Sequence, residues 1–198
     1  TYILSFAEYI ITVGHGIGAA VMGAIYPLTV VCGIHHMYNV IEAGMLAAGE
    51  LNTWMPIATA ANFSMGAACL AVGLKSKNMK TKAIAIPSAL SAALGITEPA
   101  IFGVNLRFVK PFVCGMIGAA AGSLVGAIFG IGATSYGVTG IPGFLITLDY
   151  TVQYTILLAV SFAVTFVLTW MTWKEETKEG ETAVADKKKV YSPVKGNV

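Results

Sequence analysis

Gly95-Ile96-Thr97-Glu98-Pro99, at the centre of the run from Ile84 to Lys110, is the stretch that decides the fold. The run is apolar over about the length of a membrane helix. It nevertheless carries a carboxylate in its middle and cannot be one unbroken helix. Pro99 has no backbone N–H and clashes with the preceding turn, while Gly95 readily takes the left-handed conformation that ends a helix. Glycine just past one helix and proline just inside the next is the usual stop-and-start order. The reading is two short arms, 84–94 and 99–107, joined at a polar tip.

The flanks orient those arms. Lys75, Lys77, Lys80 and Lys82 precede the stretch, and Arg107 and Lys110 follow it. Basic residues beside hydrophobic segments favour the cytoplasmic side, so the segment is expected to enter the membrane and return from that same side. An arm of about ten residues reaches roughly 15 Å, half of a ~30 Å hydrocarbon core. Thr97 and Glu98 then lie near the midplane, where irregular backbone is tolerated only in a protein interior or beside a wet cavity.

Composition agrees. The 198 residues are 56% hydrophobic and only 11% charged, with a mean hydropathy of +0.74. A soluble domain has about a quarter charged residues, so the fold class is an all-α membrane protein, with spanning helices and two re-entrant or interrupted hairpins. All twelve Lys and Arg fall in the clusters 75–82, 107–110 and 174–195, a topological pattern that gives no support to nucleic-acid binding. Cys32, Cys69 and Cys114 lie in apolar runs without ligand spacing and read as buried, inert thiols. No cofactor or metal is expected.

Along the chain, residues 2–13 are apolar but short, and His15 sits in a glycine-flanked loop. Residues 17–34 are long enough to cross, with Pro27 a kink. The run Gly33-Ile34-His35-His36-Met37-Tyr38-Asn39-Val40-Ile41-Glu42 is too polar for lipid and reads as a second interrupted segment, entering from outside. On a helix, His35, Asn39 and Glu42 would share a face. Spans are expected at 54–74, 111–131 and 150–173, with 132–149 an external loop that partly dips in. From Lys174 the composition shifts to Lys, Glu and Thr, an exposed linker with a cytoplasmic C-terminus. Thr1 stands where an initiator Met would, and the chain reads as a piece of a longer protein.

Glu98 is the leading functional candidate, because a carboxylate at membrane depth is costly and faces a cavity or partner. Its place before Pro99 also puts it at a helix N-terminus, where the dipole favours the anion. Capping alone could use Ser or Asp outside the membrane. His35 and His36 can bind hydroxyls, titrate or satisfy carbonyls. Adjacent histidines point to different helix faces, which argues against a metal site with Glu42. Arg107 and Lys110 are first of all positive-inside anchors.

Gly95-Ile-Thr-Glu-Pro-Ala-Ile-Phe-Gly-Val-Asn-Leu106 resembles the signature of enzyme IIC, the membrane permease of the bacterial sugar phosphotransferase system, glucose superfamily. Gly33-Ile34-His35-His36 resembles that family's histidine motif, and the text around His36–Met45 and Leu51–Pro56 looks most like sucrose-type permeases. The resemblance implies that residues 1–173 are the transport half of a IIC domain, 174–189 a linker, and 190–198 the start of a IIA domain. It implies sugar contact by Glu98 and by His35 or His36, with Thr97 lining the tip; Asn39 and Asn105 are further candidate substrate-binding residues. Glu98 is the candidate catalytic base.

The implied activity is that of the membrane part of a protein-phosphohistidine–sugar phosphotransferase, acting in the bacterial inner membrane with IIB and IIA phosphocarrier domains and as a homodimer. None of the three cysteines resembles the IIB phosphocysteine. A proton- or sodium-coupled carrier, or a phosphotransferase permease for trehalose, a β-glucoside or an amino sugar, remains the alternative.

Overall fold

The computed structural model describes residues 16–175. The expectations for residues 2–13, for His15 and for the chain after Glu175, including the IIA start, lie outside the described residues. Among the described residues three helices are long and apolar enough to cross a bilayer: Met55–Lys75, Lys110–Ile128 and, with its preceding 3-10 turn, Leu148–Thr172. The protein is an all-α membrane protein, and the two backbone hydrogen bonds between Asn52 and Ala133 are an isolated bridge rather than a sheet.

The described helices are α1 (Ile17–Val31), α2 (Tyr38–Ala47), α3 (Met55–Lys75), α4 (Met79–Ala93), α5 (Glu98–Ala100), α6 (Leu106–Phe108), α7 (Lys110–Ile128) and α8 (Thr151–Thr172). Helix α3 is the axis of the bundle. Its alanines and glycines let neighbours approach closely, and it is buried along most of its length, whereas α8 is exposed along most of its length. Gly66 lies against Ala89 and Ala92, and Gly73 against Ala85 and Ile86, so α4 runs back antiparallel along α3. Gly115 meets Met65 and Gly126 meets Pro56, which sets α7 antiparallel to α3 as well. Against α7 run α8 (Gly118 facing Thr165, Gly122 facing Ser161) and α1 (Gly23 facing Ser123, Gly16 facing Ala127).

The segment around Glu98 is a hairpin. Gly103 on the return lies against Ile84 and Ser88 of α4, so the chain doubles back beside the arm it came down. Helix α4 begins at Met79, five residues earlier than the sequence reading, because the Asn78 side chain caps it by accepting from the Lys80 N–H at 2.9 Å. Both ends of the hairpin sit at the Lys75 end of the bundle. There Lys75 Nζ donates to the carbonyls of Trp170 and Trp173, and the Phe108 ring meets Trp173 edge-on at 5.5 Å. All described Lys and Arg residues are therefore at or near one end.

One expected crossing is replaced. Residues 17–34 do not form a full span: α1 stops at Val31 and the chain turns at Gly33, which has φ +75°. A 3-10 turn, Ile34–Met37, follows, and α2 heads back. Tyr38 stacks on Tyr26 at 5.5 Å and meets Trp54 at 4.7 Å, so α2 returns toward the Trp54 end from which α1 came. Two hairpins thus reach inward from opposite ends.

Candidate functional site

The inner tip is built locally. The N–H of Ile96 closes onto Ser91 O at 3.0 Å and Gly95, at φ +97°, turns the chain. The N–H of Ile101 bonds Thr97 O at 2.9 Å, which opens the return helix with Glu98 and Pro99 in its first turn. A π-turn, Ile101–Asn105, follows, the kind of helical irregularity that recurs at functional sites. Cys69 Sγ donates to Ala100 O at 3.4 Å. Through Thr97 the tip bonds Asn62, in the first half of α3.

Glu98 and His35 come together. His35 Nε2 lies 4.0 Å from Glu98 Oε1, with the glutamate side chain 50% exposed and the histidine 16%. That gap is too long for a direct hydrogen bond, and it is short enough for one hydroxyl placed beside the pair to reach both groups. His35 Nδ1 is buried and makes no hydrogen bond among the described residues. The His36 ring is 4.0 Å from that of His35 but is itself exposed, so of the two His35 faces the carboxylate.

The other predicted site residues are placed differently. Thr97 is buried and donates its hydroxyl to Asn62 Oδ1 at 3.1 Å. Asn105 is fully buried, donating to Met65 O at 3.1 Å and accepting from Cys69. Asn39 is exposed and Glu42 buried, both on α2, whereas His35 lies ahead of that helix. The continuous helix expected over His35, Asn39 and Glu42 is interrupted, because His35 belongs to the 3-10 turn Ile34–Met37 with its three residues per turn. Among the described residues no group of three His, Cys, Asp or Glu side chains is placed to hold a metal.

Two residues that the motifs did not flag belong to this site. Asn62, in the apolar helix α3, also donates to Thr139 Oγ1 at 2.9 Å, and Thr139 donates on to Gly95 O at 3.5 Å. The loop after α7 therefore does dip in, down to the hairpin tip. An asparagine inside a spanning helix was the available signal, since such polar groups seek a partner.

Comparison with known proteins matches residues 1–119 to the family described as "Phosphotransferase system, EIIC". A sucrose-specific EIIBC component of that system from Salmonella typhimurium is 49% identical over 126 residues, 63% of this chain and 28% of the relative. One from Bacillus subtilis (strain 168) is 44% identical over 142 residues, 72% of this chain and 29% of the relative. A trehalose-specific EIIBC component from Escherichia coli (strain K12) is 35% identical over 130 residues, 65% and 27% respectively. The chain thus spans less than a third of the length of these relatives. No solved structure matches it.

Proposed function

The chain belongs to the phosphotransferase system EIIC family, and from that premise we propose that it is the sugar-binding part of a permease that moves sucrose inward and couples the movement to phosphorylation. The observation that carries this reading is the opposition of His35 and Glu98 across 4.0 Å, presented by hairpins from opposite ends of the bundle. Sucrose is favoured over trehalose because the sucrose-specific relatives are more similar to this chain than the trehalose-specific one.

In this reading Glu98 accepts hydrogen bonds from sugar hydroxyls and His35 holds another, with His36 and the exposed Asn39 at the margin of the site. Thr97 and Asn105 act from behind, ordering the tip and the return arm. The Lys75 end is cytoplasmic, in keeping with its basic residues, and the C-terminus emerges there in a multi-pass inner-membrane protein. The donor is a phosphocysteine on a IIB domain, which a IIA domain recharges, and the permease works as a homodimer. At transfer the S–P bond breaks, an O–P bond forms to the sugar 6-hydroxyl, and the hydroxyl proton passes to Glu98 as base.

Vesicles holding the intact protein test the reading. Phosphorylation of sucrose, above other sugars in a panel, is expected only with the phosphate donor system present. Uptake that needs no donor and collapses with a protonophore would instead make the His35–Glu98 pair a proton-coupling device.

A further inference from the structure

The inner tip and the outer loop approach backbone to backbone. A Cβ on Gly140, at φ +69°, would lie 2.4 Å from Ala93 O, and one on Gly95 would lie 2.9 Å from Thr139 Oγ1. From behind, Tyr154 Oη donates to Gly140 O at 2.6 Å. At its start the loop is tied to Asn52, which pairs with Ala133 and donates to Ser135 O at 3.1 Å.

Asn62 projects into this junction from α3, only 7% exposed. Its Oδ1 accepts from Thr97 at 3.1 Å and its Nδ2 donates to Thr139 at 2.9 Å. A carboxamide offers an acceptor and a donor from one point, which neither leucine nor ionised aspartate can do. Thr97 directly precedes Glu98, and its carbonyl accepts the first hydrogen bond of the return arm. Whatever holds Thr97 therefore sets the direction in which Glu98 leaves the tip.

We propose that Asn62 is the positioning residue of the sugar site, fixing the inner tip through Thr97 and seating the outer loop on it through Thr139. The proposal rests on the sugar-permease reading and adds to it a residue that touches no sugar. The dipping loop becomes the fixed outer wall of the site, and Glu98 is held opposite His35 by a contact made behind it.

The test uses the full-length protein in vesicles with the phosphate donor system, and reads KM and kcat for sucrose phosphorylation beside thermal unfolding in detergent without sugar. Loss of both hydrogen bonds in Asn62→Leu is expected to raise KM about tenfold to thirtyfold, and Thr139→Val about fivefold. The double variant is expected to be no worse than Asn62→Leu, and Thr139→Ser to restore wild-type KM. Unchanged KM in Asn62→Leu and Thr139→Val, with only a lower unfolding temperature, would overturn the proposal and leave Asn62 a packing residue. Should Asn62→Leu fail to fold, the valine and serine variants of Thr139 decide. Glu98→Gln separates the two levels: wild-type KM there removes the sugar site itself, whereas its loss beside normal Asn62 and Thr139 variants removes the Asn62 proposal alone.

Discussion

His35 Nε2 stands 4.0 Å from Glu98 Oε1, although the two residues belong to arms that enter the bundle from opposite ends. Each arm alone would leave a polar tip in an apolar surrounding, which is costly. Brought together, the two tips make one small polar site, in which a single hydroxyl beside the pair could reach both atoms.

Glu98→Gln keeps the shape of the side chain and removes its charge. Because the group is half exposed and makes no hydrogen bond within the described residues, folding stability is expected to change by less than about 0.5 kcal/mol. Sucrose binding is expected to weaken about tenfold to a hundredfold, the usual weight of a hydrogen bond to a charged group. Isothermal titration and thermal unfolding of the purified full-length variant check both halves. Wild-type affinity would take Glu98 out of the site.

Topology gives a second expectation. Single cysteines replacing Lys82 and Arg107 should both react with an impermeant thiol reagent from the cytoplasmic side only, since both residues flank one hairpin at the Lys75 end. Reaction from opposite sides would mean that the segment crosses the membrane.

Gly118 allows α7 and α8 to touch: a Cβ there would fall 1.8 Å from Thr165 Oγ1 and 2.9 Å from Ser161 O. Gly118→Ala is therefore expected to cost about 1–3 kcal/mol, as overpacking does. At Gly126 the nearest atoms, on Leu157 and Pro56, would be 3.1 and 3.2 Å away, so Gly126→Ala should cost distinctly less. Thermal unfolding in detergent ranks the two, and equal effects would mean that α8 packs elsewhere.

At the Lys75 end the carboxylate of Glu175 accepts from the Lys77 N–H and the Ser76 hydroxyl, both at 2.8 Å, and from the Asn78 N–H at 3.0 Å. These donors, the Lys77 N–H first, hold its carboxyl below the ordinary glutamate value of 4.5. A carboxyl group depressed by folding stabilises the fold above its unfolded value, and that contribution fades as pH falls through the folded one. Amide exchange at Lys77 and Asn78 should therefore quicken as pH drops below about 4.5, beyond the intrinsic pH trend. In Glu175→Gln it should be faster at neutral pH and lose that extra dependence.

Much of this was legible in the residues. Pro99 and Gly95 announce the break, because one lacks an N–H and the other tolerates positive φ wherever they occur. The three α-helical spans were found within a few residues. The start of α4 is less legible, since a short basic stretch reads as a flank although Asn78 can cap it and lysine stems can lie along a helix. That His35 stands outside the helix carrying Asn39 and Glu42 is not legible for a similar reason: a four-residue 3-10 turn leaves no periodicity to detect.

The sequence by itself determined that this chain lives in a membrane, roughly where its three long apolar helices lie, and that Glu98 sits at a turn beside basic flanks. Those features are local, written in proline and glycine stereochemistry and in the cost of burying charge. Tertiary structure alone decided that His35 rather than His36 faces Glu98, and that Asn62 joins Thr97 to a threonine 77 residues away. Such pairings depend on which helices stack and at what depth, and no spacing along the chain encodes a meeting between hairpins that start at opposite ends.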